Sequence, residues 1–110
     1  MIQDRIDKIE NTVHSAANLP PETKQQLLAL LSELKAEVAP LTETHGEDAA
    51  SIARFADASV HEATRSERKP DQTAAALSGL SASVQGFEAS HPQLVQIVDR
   101  IAVTLSNMGI

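Results

Sequence analysis

The chain contains no cysteine, tryptophan or tyrosine, and only two phenylalanines, Phe55 and Phe87. The lack of cysteine excludes disulfides, a thiol nucleophile and thiolate metal sites. With so few aromatics, the core must come from aliphatic side chains packed between helices, or from self-association. Alanine inflates the hydrophobic fraction of 42%; 29 of the 110 side chains are Ile, Leu, Val, Met or Phe. Bases are scarce as well, nine against 15 acids, for a net charge of −6. That balance argues against a generic nucleic-acid binder and against electrostatic docking on an anionic membrane. No apolar run approaches the roughly 18 residues of a membrane span. The segment Met1-Ile2-Gln3-Asp4-Arg5-Ile6-Asp7 has no signal-peptide core, so a cytoplasmic location is expected. Neither a Gly-rich phosphate loop nor a Walker pattern occurs.

What the chain does have is helical spacing. Leu77, Leu80, Val84, Phe87, His91, Leu94, Val98, Ile101, Leu105 and Met108 alternate three and four residues apart, which keeps them on one helical stripe. Ile2, Ile6, Ile9 and Val13 form a narrower, coiled-coil-like seam in a first helix over about residues 2–17. Pro20-Pro21-Glu22 restarts a second helix, because proline suits the first turn and acid the positive end of the dipole. Leu27, Leu31, Leu34, Val38 and Leu41 make its seam, and the short connection predicts a hairpin over residues 1–41. Pro40 is expected to kink or end that helix.

Residues 42–70 change character. They are alanine-rich and charged, with Ile52, Phe55 and Val60 the sole large apolar side chains. Alanine favours a helix over about residues 47–67, weakly anchored through Ile52, Phe55, Ala56 and Ser59, with Gly46 separating it from the second helix. One bent helix through Pro40 and Gly46 is the alternative. Residues 65–70 read as an exposed loop.

A C-terminal helix pair is expected over residues 71–110. The first member, about residues 71–89, bears no charge from Gln72 through Phe87. Its large residues oppose a stripe of small ones, including Ala75, Gly79, Ala82 and Gly86. Interior glycines cost roughly 1 kcal/mol each against alanine, which predicts a close helix–helix contact there. The second member, about residues 92–108, shows a wide apolar face of Leu94, Val95, Ile97, Val98, Ile101, Val103, Leu105 and Met108. Asp99 and Arg100 are its only charges. A break or strong kink is expected at His91-Pro92, the alternative being one kinked helix. At the end, Gly109 in a left-handed position would fold Ile110 back onto Leu105. A docking peptide is the rival reading of that tail.

Candidate chemistry is sparse. Glu88 and His91 have the Glu-x-x-His spacing of a helical metal site, but no second copy exists, and the expectation is no catalytic residue, cofactor or metal. Glu10/His14 and Asp57/His61 are four apart and read as polar pairs on amphipathic helices. His45-Gly46-Glu47-Asp48 reads as a junction between two helix ends.

Phe87-Glu88-Ala89-Ser90-His91-Pro92, then Leu94, Arg100-Ile101-Ala102 and Leu105-Ser106-Asn107-Met108-Gly109-Ile110, resemble the C-terminal signature of a family of small bacterial helical proteins classed as a domain of unknown function. The Leu27 to Leu41 helix is similar to that family's N-terminal half, and the alanine-rich middle is longer than in its short versions. The resemblance implies a bacterial, cytoplasmic protein and brings no activity or cofactor.

The sequence therefore predicts one all-α domain of four to five helices, 1–110. The first-helix seam (Ile2, Ile6, Ile9, Val13) and the small stripe (Ala75, Gly79, Ala82, Gly86) are its expected interfaces in a homo-oligomer, a dimer first. The functional expectation is a non-enzymatic interaction or scaffold protein that self-associates. The rivals are an adaptor that binds a different protein through the middle helix or tail, and a metal-dependent helical-bundle enzyme.

Overall fold

The computed structural model describes residues 2–108, and within them every regular element is a helix. There are six helices, not four to five: α1 (Ile2–Ser15), α2 (Pro21–Val38), α3 (Leu41–Thr44), α4 (Gly46–Thr64), α5 (Pro70–Ser83) and α6 (Pro92–Ser106). The additional one is α3, a single turn. Ala39 and Pro40 keep right-handed helical dihedrals, so the missing proline N–H interrupts the hydrogen-bond ladder without redirecting the chain. The redirection comes at His45, with φ −137° and ψ 56°. Gly46, expected to be the separator, is the first residue of α4.

The five longer helices close a ring. α1 packs on α2, α2 on α6, α6 on α5, α5 on α4, and α4 back on α1. The N-terminal hairpin thus meets the C-terminal pair chiefly through α2 and α6, and meets the alanine-rich helix chiefly through α1. Ile6, Ile9 and Val13 are fully buried, as are Leu27, Leu31 and Leu34 of α2. The α1 seam is therefore filled by the chain's own α2 and α4. Lys35 of α2 donates to the Asp7 carboxylate of α1, and Arg5 of α1 reaches Asp57 of α4 at 3.4 Å. The Asp7 hydrogen bond holds the Lys35 ammonium pKa above its ordinary value.

The alanine-rich α4 is the most widely packed helix, touching α1, α3, α5 and α6. The expectation of weak anchoring is corrected here. Ala49, Ile52, Ala53, Ala56, Val60 and Ala63 are all buried. Small side chains let neighbouring helices come close, so the packing comes from what approaches α4 rather than from its own bulk. The buried Ser59 hydroxyl donates to the Phe55 carbonyl at 2.7 Å, and the buried Thr73 hydroxyl to the Lys69 carbonyl at 3.3 Å, so neither is left unsatisfied.

The C-terminal pair breaks at His91-Pro92, as preferred, but α5 is shorter than expected. It stops at Ser83, and Gly86 sits in a turn at φ +99°, a left-handed conformation that suits glycine. The apolar stripe nonetheless continues across the break: Leu77, Leu80, Val84, Phe87, Leu94, Val98, Ile101 and Leu105 are all buried. Arg68, in the loop after α4, donates to the Met108 carbonyl at 2.6 Å and fastens the end of α6. Gly109 and Ile110, on which the proposed cap with Leu105 depends, lie outside the described residues.

Candidate interaction surfaces

Two large apolar side chains remain exposed among the described residues, Phe55 at 39% and Val103 at 58%. They mark two faces of the ring. Val103 was expected in the wide apolar face of the last helix. At 100° per residue it lies well away from the arc centred on Val98, Ile101 and Leu105, and so it points outward. It borders an open groove of about 500 Å³ between α2 and α6. Gln26, Ala29 and Leu30 supply one wall, and Asp99, Arg100, Val103 and Thr104 the other. Asp99 and Arg100 are exposed, and neither forms an ion pair or side-chain hydrogen bond with a described residue. The groove can accept an apolar side chain while offering one charge of each sign at its edge.

Phe55 was expected on the inner face of its helix. It leans outward from α4 across Gly79 of α5, where a side chain on residue 79 would overlap its ring. This explains one of the two glycines read as markers of close approach, with the qualification that a ring, not a backbone, fills the space. Gly86 has a different cause, the turn. Ala75 and Ala82 are exposed, and Gly86 is exposed with open space around its Cα. The four small residues therefore do not form one contact within the chain. Gly79→Ala tests the first assignment. Its helix-propensity gain of about 1 kcal/mol should appear in a Phe55→Ala background and be cancelled or reversed with the ring present. Equal shifts of the urea midpoint in both backgrounds would contradict it.

At one end of the ring, two junctions meet. The Phe87 ring has centroid distances of 5.5 Å to His45 and 5.5 Å to His91, edge-on in both cases. The two histidine rings are 6.5 Å apart. Each histidine precedes the first residue of a helix, α4 or α6, and each Nδ1 lies within hydrogen-bond distance of the preceding hydroxyl, Thr44 or Ser90. Glu88 and His91 do not share a helix face, because both lie in the turn between α5 and α6. The Glu88 carboxylate accepts the Gly86 N–H at 2.8 Å. No group of three His, Asp or Glu among the described residues is placed to hold a metal ion. Of the four-apart pairs, Asp57/His61 separates: Asp57 turns to Arg5, and His61 lies 3.9 Å from Glu62.

A family model described as a domain of unknown function, DUF4404, matches residues 27–110. The chain belongs to this family. The DUF4404 span holds both segments on which the resemblance rested, the Leu27 to Leu41 helix and the stretch from Phe87 to Ile110. It also takes in both exposed apolar residues and the whole His45–Phe87–His91 junction. No curated protein and no solved structure matches the chain. The DUF4404 match begins within α2 and so excludes α1, which supplies three of the fully buried residues of the core.

Sequence reasoning missed the α2–α6 groove and the meeting of His45 with His91. Residues about 70 positions apart line the first, and no local pattern carries that pairing. The outward position of Val103 was readable from its helical angle.

Proposed function

We propose that this DUF4404 chain is a non-enzymatic, cytoplasmic helical interaction protein of bacteria, and that it self-associates. The observation that supports this reading most is Val103, a valine 58% exposed beside an apolar groove. The chain fills the seam of α1 internally, so the α2–α6 side now takes the place the seam held as the surface for association. Among the described residues no helix is long and apolar enough to cross a membrane. Molar mass measured by sedimentation across concentration tests the reading. It should rise from one chain toward two, and a single-chain mass throughout would overturn it.

The exposure of Phe55 on α4 favours a second reading, an adaptor that binds a different protein through the middle helix. A photo-crosslinking side chain at position 55 should then capture a distinct product in cells, absent when the probe stands at the neighbouring exposed Arg54. The same products from both positions would remove it.

A further inference from the structure

The cleft between α1 and the start of α4 is charged differently from the α2–α6 groove. Ile2, Gln3 and Arg5 of α1, Thr42 of α3, and Gly46, Ala50 and Arg54 of α4 line it, around a volume of about 600 Å³. The groove beside Val103 offers one charge of each sign. Here both charged side chains are guanidiniums, in a chain with nine bases against 15 acids. We propose that this cleft binds a small organic anion, a monocarboxylate with an apolar body. The site lies apart from the surfaces assigned to association and does not depend on that reading.

The head group follows from the arginines. Arg54 is exposed and forms no ion pair or side-chain hydrogen bond with a described residue. Its planar fork is free to donate to both oxygens of one carboxylate, a geometry that arginine has and lysine lacks. Arg5 gives one N–H to Asp57, at 3.4 Å, and keeps its other donors. The body follows from the walls. Ile2 and Ala50, one on each side of the cleft, are half-buried, and Ile2 packs on the core. Apolar walls with a few polar groups, in a space of roughly 300–1,000 Å³, are the usual make-up of a small-ligand pocket.

The acids nearby set the charge of the ligand. Asp57 offsets Arg5, so a single positive charge, that of Arg54, is left unmatched in the lining. Asp4, Glu43 and Glu47 are exposed at positions beside lining residues and do not themselves line the cleft. A phosphate monoester or a dicarboxylate would bring a second negative charge against these acids and a net charge of −6. One carboxylate matches the one free guanidinium. A neutral apolar molecule would cover Arg54 and give its N–H groups nothing to bond.

Octanoate is the probe that tests the site. Titrated into the full chain at neutral pH, it should saturate with a Kd of about 1 mM, read from amide chemical shifts. The shifted amides should cluster at the start of α1 and across α3 and the first half of α4. Octanamide has the same body without the charge, and acetate the charge without the body. Each should bind about tenfold more weakly or worse, as should octanoate to Arg54→Gln. Arg54→Lys should recover part of the affinity. Arg54 is exposed and unpaired, so its variants should melt with the wild type. Arg100→Gln, which removes the free guanidinium of the other groove, should leave binding unchanged. No saturation below about 20 mM octanoate, equal binding of octanamide, or a loss that follows Arg100 instead of Arg54 would overturn the site.

Discussion

Ala56→Leu is expected to lower the melting temperature by roughly 5–20 °C, since overpacking a close-packed core typically costs about 1–3 kcal/mol and each kcal/mol moves a domain of this size by about 4–8 °C. Ala56 is fully buried near the middle of the inward arc of α4, between Ile52 and Ser59. Three added carbons there must push apart helices that approach only because the position is small. Ala74→Leu on α5 is the control: Ala74 is exposed, and a surface change of that kind should stay within about 0.5 kcal/mol. Calorimetry of the two variants decides the matter. If both melt together with the wild type, α4 is the loosely held bridge that its composition suggests.

Ile9→Ala should cost about 2–5 kcal/mol, a large share of the roughly 5–15 kcal/mol that holds a domain folded. Ile9 is fully buried between α1 and its neighbours α2 and α4. Removing its outer carbons leaves a cavity in the chain's own core. Ile2→Ala, at a half-buried position in the first turn, should cost far less. Denaturant unfolding at a concentration where the protein is a single chain separates this from the earlier reading of the seam. An α1 that served only to join two copies would leave the stability of the isolated chain unchanged on Ile9→Ala. The same measurement bears on the family boundary, because α1 lies outside the DUF4404 match yet covers leucines and alanines inside it.

The helix starts were the most legible part of the fold. Pro21 and Pro92 each stand at the first position of a helix, where the missing N–H costs nothing, and α5 begins at Pro70, one residue before the start expected at Asp71. The end of α5 was not legible, because the three-four spacing runs on through Val84, Phe87 and His91 while the backbone has already left the helix. There the chain is held by short-range bonds, Phe87 N–H to the Val84 carbonyl at 3.1 Å and His91 N–H to the Phe87 carbonyl at 2.7 Å, that keep the same side chains inward. The importance of α4 was hidden for another reason. Hydropathy credits a residue with its own area, whereas a buried alanine contributes by admitting its neighbours. Of the candidate surfaces, the tight spot at Gly79 was visible as an unfavourable residue that needed a cause, and its partner Phe55 was not. The groove beside Val103 depends on α2 and α6 lying side by side, and nothing within either helix announces that.

The closed ring has a consequence for how the protein is made. α6 comes last among the described helices, and it stands between α2 and α5, where it closes the ring. Until it emerges from the ribosome, the leucines of α2 and the Leu77–Leu80–Val84 face of α5 have lost the neighbour that covers them. The nascent chain passes through an open form with those faces in water, the kind of species that chaperones recognise and that aggregates when crowded. A premature stop anywhere before Leu94 would leave it in that form permanently.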